Sequence, residues 1–253
     1  MGWLRHGVTS RVPDIQPGEG NVGYGSPRDK DQAWQMRVEW SRAVGLDPER
    51  LVGIHQVHGG AVIAATASHA GSGSAPGSIP AGEADALVTN EPNLPLMTLH
   101  ADCQPLLLAD PVRRIVGVAH AGWRGVVSDV AGETVRAMGT KFGSKPADIV
   151  AFLGPAIGVK CYEVGMEVVE AWCQTYPGSN GTQAVHDTGA KPHFDLTCAN
   201  RLLLERAGVP AQNIEESGIC TQCQGDHWFS HRGQGPVTGR FGAMIGITGA
   251  VEG

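Results

Sequence analysis

A series of short apolar runs, each stopped by a turn residue, alternates with a few amphipathic helical stretches, and this mixture constrains the fold most. The runs at Leu51–Ile54, Gly60–Thr66, Pro95–Leu99, Leu106–Ala109, Arg114–His120, Asp148–Leu153, Ile214–Cys220 and Phe241–Thr248 have the length and side chains of strands. Between them, Ala33, Met36, Trp40 and Val44 repeat at helical spacing within Asp29–Gly45. Val126–Phe142, Val164–Thr175 and Asp195–Ala207 read as helices too, the last with Asp195 placed to cap it. With 36 glycines and 16 prolines the chain has many tight turns. No internal repeat and no linker divides residues 1–253, so the expectation is one α/β (α+β) domain, a layered sandwich of mixed sheets and outer helices. The Gly/Ser/Pro/Ala-rich stretch 68–82 reads as an exposed loop, mobile or a lid.

The 42% of hydrophobic residues suffices for a sizeable core, and a net charge of −6 without a basic run argues against nucleic-acid binding and against an anionic membrane surface. No apolar run is long enough to span a bilayer, and the first residues lack the apolar stretch of a signal peptide. The expectation is a cytoplasmic protein whose six cysteines are thiols or ligands rather than a disulfide framework.

Three motifs carry chemistry. They are His55-Gln56-Val57-His58-Gly59, His100-Ala101-Asp102-Cys103 and His120-Ala121-Gly122-Trp123-Arg124-Gly125. His58, Cys103 and His120 make a three-ligand set for a catalytic zinc, with a fourth position left for water or substrate. Copper also accepts imidazole and thiolate, so the donor types alone leave Zn2+ or Cu2+ open. Taken singly, each residue has an ordinary explanation: a polar loop histidine, a small buried cysteine, a core histidine. Their separations of 45 and 17 residues match no local metal-binding pattern, so a fold must assemble them. Asp102, beside Cys103, is a candidate base or orienting group, although an Asp satisfied by turn amides is the plainer reading. Arg124, Arg232 and Arg240 each adjoin a glycine; exposed arginines are usually just solvated, and the alternative reading of these three is an anion cradle.

Other signatures are weaker or missing. Cys220-Thr221-Gln222-Cys223 is a lone Cys-x-x-Cys without the second pair of a zinc ribbon, and reads as structural or incidental. There is no Walker loop, dinucleotide fingerprint, Gly-x-Ser-x-Gly elbow or cytidine-deaminase signature.

Along nearly its whole length the chain resembles the laccase-domain family, whose members are called polyphenol oxidases, multifunctional purine nucleoside phosphorylases or peptidoglycan-editing factors. Gln56-Val57-His58-Gly59, Ala84-Asp85-Ala86-Leu87-Val88-Thr89, Asp102-Cys103-Gln104-Pro105 and His120-Ala121-Gly122-Trp123-Arg124-Gly125 carry the resemblance. So do Gly154-Pro155-Ala156-Ile157-Gly158, Cys161-Tyr162-Glu163-Val164, Ser230-His231-Arg232 and Thr238-Gly239-Arg240. The resemblance implies zinc ligands at His58, Cys103 and His120, selecting His58 over His55, and a fold related to a toxin deamidase. It also implies phosphorolysis of adenosine, inosine, guanosine and methylthioadenosine, with adenosine deamination; the small-molecule partners are then a purine nucleoside and phosphate.

Three other readings stay open. One is a copper-dependent phenol oxidase (laccase). Another is a cysteine hydrolase with Cys103 as nucleophile and His120 as base, which suits a peptidoglycan-precursor editing role. The last is a metal-buffering or partner-binding protein, with a bound metal but no turnover.

Overall fold

The computed structural model describes residues 2–15, 18–25, 28–178, 182–187, 189 and 191–249. The chain begins with strand β1 (Leu4–Val8) and helix α1 (Lys30–Ala43), then runs through strands β2 (Val62–Ala64), β3 (Ala86–Thr89), β4 (Leu96–His100), β5 (Gln104–Asp110) and β6 (Ile115–Ala121). Helices α2 (Trp123–Val127) and α3 (Val130–Phe142) follow, then β7 (Val150–Leu153), α4 (Met166–Thr175), β8 (Val185–Asp187) and β9 (Pro192–Phe194). The last elements are α5 (Leu196–Arg206), β10 (Ile214–Glu216), α6 (His231–Gln234) and β11 (Phe241–Ile247). Six strands form a mixed sheet in the order β10-β7-β5-β6-β3-β2, three form a second sheet β1-β11-β4, and β8 pairs with β9.

These sheets stack, and the period-two geometry of a strand explains how. Along β5, Leu106 and Leu108 face the helices while Leu107 and Ala109 face the three-stranded sheet. Along β6, Ile115, Ala119 and Ala121 take the first side and Val116 and Val118 the second. Every residue of both strands is buried, because both faces of the sheet are covered, and their sequences therefore read as unbroken apolar runs. Each fully buried leucine there contributes roughly 1.5–3 kcal/mol. In the second sheet Ala243, Ile245 and Ile247 of β11 point inward, whereas Met244 and Met97 pack outward with Trp40 and Val44 near α1. The layers are thus α1, the small sheet, the large sheet, and α2 to α5: the α/β sandwich with mixed sheets and outer helices expected from the sequence.

Boundaries move where local chemistry outweighs periodicity. The helix expected over Val126–Phe142 is two helices, split at Ser128 and Asp129. Asp129 sits at φ 57, and its carboxylate accepts from Gly132 N, so an N-cap starts α3 afresh. α3 ends on Gly143 at φ 76, the left-handed stop that glycine adopts without strain. Asp29 caps α1, accepting from Asp31 N and Gln32 N, and Asp195 caps α5, accepting from Cys198 N. Leu51–Ile54 makes no strand but a single parallel bridge, Val52 to Leu96. Ile214–Cys220 shortens to β10, with Cys220 bridging Ala156 alone. β1, β3 and the β8–β9 pair have no counterpart among the runs predicted from sequence; β1 is only half-buried, so its apolar signal is faint.

The stretch 68–82 starts in the 3₁₀ turn Ala67–His69, forms no strand or α-helix, and is mostly half-buried rather than exposed. The buried guanidinium of Arg37 donates to Gly73 O and Ser74 O, and Tyr24 Oη donates to Ser74 O. Among the described residues no helix is long and apolar enough to cross a membrane.

Candidate metal centre

The β5–β6 hairpin builds half of the site. Its register sets Gln104 opposite Ala121 and Pro105 opposite His120, so Cys103, one residue before β5, arrives beside His120 at the end of β6. His58 comes from a separate turn. Gln56 clamps that turn to β4: its amide donates to Leu99 O at 2.9 Å and accepts from Leu99 N at 2.8 Å, imitating a strand partner. His58 itself sits at φ 60, left-handed backbone that a β-carbon disfavours. The donor atoms of His58, Cys103 and His120 all lie within 4.8 Å of one another.

Asp85 explains how the strained turn is held. It lies fully buried just before β3. One carboxylate oxygen accepts from Gly59 N at 2.6 Å and Val57 N at 3.2 Å, the amides flanking His58. The other accepts from His120 Nδ1 at 2.8 Å. One carboxylate therefore fixes the His58 turn and the His120 ring together, and by accepting the Nδ1–H bond it leaves His120 Nε2 as the nitrogen turned to Cys103 and available to a metal. Burial raises the Asp85 pKa, but the bonds from His120 and Gly59 outweigh it and hold the group below the usual carboxylate range. The sequence motif around Asp85 carries part of the family resemblance, yet nothing in it assigns the residue a site role.

His100 supports the same corner from beneath. It is buried, its Nδ1 donates to Cys103 O at 3.1 Å, and its Nε2 accepts from Thr98 Oγ1 at 2.8 Å. Burial and the neighbouring His120 push it well below its ordinary pKa, so it is a neutral prop. Gly122 leaves space for the sulfur: a β-carbon there would sit 2.7 Å from Cys103 Sγ and 3.6 Å from His58 Cδ2.

The electrostatics of the metal-free trio are those of an ion pair. Burial opposes charge on Cys103, but His120 and hydrogen bonds from both imidazoles bring its thiol down to about 6. Burial likewise lowers His120, but the Cys103 thiolate and Asp85 raise it to about 9. A cation with affinity for nitrogen and sulfur would displace the imidazolium proton and keep the thiolate. The donor set of two nitrogens and one sulfur, the His120 Nε2 turned to Cys103 and the space left by Gly122 therefore fit a zinc or copper ion.

Above the trio lies a cleft of about 670 Å³, within the range of small-molecule sites. Arg124, Arg232 and Arg240 all line it, with Trp123 and Tyr162. The Arg124 guanidinium stacks 4.2 Å from the Trp123 ring centre. Arg232 Nη1 donates to Glu163 O, and Arg240 Nη1 donates to Thr238 O and Gly239 O. Arg28, which the sequence does not single out, joins them. Burial and the charge of Arg240 lower its pKa, and its Nη2 is buried with no hydrogen-bond partner among the described residues. Such an orphaned donor beside a second cation invites an anion.

Asp102 also borders the cleft, at φ 84, but its carboxylate is engaged: Thr221 Oγ1 donates to one oxygen at 2.7 Å and Arg232 N to the other at 2.6 Å. It ties Cys103 to the Arg232 segment. His55 is exposed and stands outside the metal trio, at a bridge to Glu83.

Comparison with known proteins agrees with this architecture. Residues 4–248 match the family model described as "multi-copper polyphenol oxidoreductase laccase". The chain is 40% identical over 163 residues to a protein of Bacillus subtilis named purine nucleoside phosphorylase YlmD, a match spanning 64% of this chain and 58% of that protein. It is 34% identical over 242 residues to the Geobacillus stearothermophilus protein of the same name, covering 96% of this chain and 87% of the relative. The crystal structure of YlmD from Geobacillus stearothermophilus superposes with a TM-score of 0.92 at 33% identity, over 97% of this chain and 92% of that one. A hairpin-borne cysteine and histidine, a second histidine on a clamped turn and these near-full-length matches lead to one conclusion: the chain belongs to the laccase-domain family.

Proposed function

We propose that the chain is a zinc-dependent purine nucleoside phosphorylase that also deaminates adenosine. The observation that carries the reading is the convergence of His58, Cys103 and His120 at the floor of a cleft rimmed by Arg28, Arg124, Arg232 and Arg240. The relatives named purine nucleoside phosphorylases support it. The substrate class is adenosine, inosine, guanosine and methylthioadenosine. His58, His120 and Cys103 would hold zinc, which supplies Lewis acidity at the cleft floor. Asp85 keeps the His120 tautomer, and His100 keeps the Cys103 backbone in place. Trp123 and Tyr162 offer faces for the flat purine. The arginines hold a phosphate dianion, the role for which their fork geometry and permanent charge suit them. In phosphorolysis a phosphate oxygen bonds to ribose C1′ as the bond from C1′ to the purine nitrogen breaks. The bonding pair leaves with the base, which takes up a proton, and the products are ribose 1-phosphate and free purine.

The test is product chromatography on protein purified without added metal, given adenosine or inosine with and without phosphate, alongside elemental analysis. The reading expects zinc, phosphate-dependent base release, and inosine or hypoxanthine from adenosine. Copper with phenol oxidation and no purine product would instead select the oxidase.

A second reading has its own observation. Asp85, His120 and Cys103 lie in hydrogen-bonded sequence, as in an acid–base–nucleophile triad. A cysteine hydrolase would work best after chelation, whereas the leading reading loses turnover.

A further inference from the structure

A second cluster of ligands lies outside the metal centre just described. The sequence shows Cys220-Thr221-Gln222-Cys223 as an isolated pair, but the fold brings a third cysteine to it. Cys161 ends the 3₁₀ turn Val159–Cys161, and its Sγ lies 3.3 Å from Cys223 Sγ. The sulfurs of Cys161, Cys220 and Cys223 all fall within 4.8 Å of one another.

Three features make this a built site. Cys220 Sγ accepts from two backbone amides, Gly158 N at 3.2 Å and Cys223 N at 3.4 Å. Amides aimed at a sulfur favour its thiolate form, the form that ligates. The two segments are fixed relative to each other by backbone bonds, Ala156 N to Ile219 O at 3.2 Å and Thr221 N to Ala156 O at 2.9 Å. Gly158 keeps the space open, since a β-carbon there would crowd Cys220 Cβ at 3.1 Å and its Sγ at 3.3 Å. A disulfide between Cys161 and Cys223 would use only two of the three sulfurs and would leave Cys220, with its two donated amide bonds, unexplained.

We propose that Cys161, Cys220 and Cys223 form a second metal site, all thiolate, for a thiophilic closed-shell cation, Zn2+ or Cu+. Soft thiolate sets select these ions, and binding releases the thiol protons. Three sulfurs complete a trigonal Cu+ site. Zn2+ would take its fourth ligand from solvent, on the side where Cys223 is exposed. The site would staple two segments that both feed the cleft. Tyr162 follows Cys161 and lines the cleft, while Thr221 follows Cys220 and holds Asp102. Arg232 lies further along the second segment and donates to Glu163 O of the first. The inference does not depend on which reaction the cleft performs.

The experiment titrates reduced, metal-free full-length protein with Co2+ and, separately, with Cu+, following sulfur-to-metal charge-transfer absorption and bound equivalents. Wild type takes up two equivalents. Cys103→Ser keeps an equivalent with strong charge-transfer absorption. Cys223→Ser, at an exposed position that puts folding at little risk, loses one equivalent and most of that absorption while retaining the His58–Cys103–His120 centre. Cys220→Ser behaves as Cys223→Ser does, and circular dichroism checks that each variant is folded. Competition with zinc- and copper-selective chelators then names the native cation. The proposal is overturned if Cys223→Ser and Cys220→Ser bind as many equivalents as wild type with unchanged absorption. It is equally overturned if folded Cys103→Ser binds none, or if mass spectrometry finds Cys161 and Cys223 joined as a disulfide in protein that binds only one equivalent.

Discussion

Replacing Asp85 by Asn tests the logic of the centre without touching a ligand. Asn has nearly the same shape, but one oxygen becomes an amide group. If the remaining oxygen faces His120, the new NH2 confronts Gly59 N, donor against donor, where a 2.6 Å bond stood. If the side chain flips, the NH2 faces His120 Nδ1, which must become the acceptor, and Nε2 then carries the proton and cannot ligate. The first arrangement leaves Gly59 N and Val57 N without their acceptor, and the second gives up the charge-assisted bond from His120, in either case about 2–4 kcal/mol of stability. That is a large share of a typical total of roughly 5–15 kcal/mol, yet leaves the chain folded. For metal affinity, loss of such an outer carboxylate costs about 10–100-fold, or roughly 1.4–2.7 kcal/mol. Chelator competition measures the affinity, and urea unfolding measures the stability. A folded Asp85→Asn variant with zinc affinity within about twofold of wild type would refute the reasoning, which predicts a far larger loss.

The metal-free chain should titrate in a defined way. The Cys103 pKa is depressed to about 6, so its stabilising charge is present at high pH and lost as pH falls through about 6. That of His120 is raised to about 9, so its contribution is full below the ordinary histidine range and lost as pH rises through about 9. The ion pair is therefore populated between these limits, and thiolate ultraviolet absorbance of the apo protein should rise near pH 6, well below an ordinary thiol; a midpoint in the ordinary thiol range would contradict the pairing. Asp85, depressed, adds stability above the ordinary carboxylate range that is lost as pH falls through its folded value, so acid unfolding of Asp85→Asn should be less steep than that of wild type. Gly122→Ala places a β-carbon against Cys103 Sγ and should weaken metal binding about tenfold or more with little change in melting temperature, read by the same chelator competition. On the proposed phosphorolysis, Arg28→Gln should raise the KM for phosphate several-fold and leave that for nucleoside nearly unchanged in steady-state kinetics; equal effects on both would remove Arg28 from the anion cradle.

Much of this architecture is legible because burial imposes a period. β5 and β6 are covered on both faces and announce themselves as apolar runs, and Asp195 announces α5 by its capping chemistry. β1 escapes because half of it faces solvent, and the break at Asp129 escapes because a cap overrides an uninterrupted helical pattern. Within the site, ligand types can be recognised as residues, whereas their supports cannot. Asp85 and His100 act only through partners brought to them by the fold, and an aspartate before an apolar strand carries no local mark of holding a histidine. Cys161 is invisible as a companion of the Cys-x-x-Cys pair for the same reason: a single bridge, Ala156 to Cys220, brings their segments together.

The hairpin that sets Cys103 beside His120 has its turn at the opposite end, after Asp110, where Asp110 accepts from Val112 N and Arg113 N and Val112 is exposed. Thiolate and imidazole are thus the two prongs of one fork whose handle lies a full strand length away. A peptide or fluorophore grafted into that handle would leave the prongs in register, while a one-residue slip between them would turn His120 to the other face of the sheet. The turn at 111–114 is accordingly the place to label this protein, and the strands behind it are the part that tolerates no change of pairing.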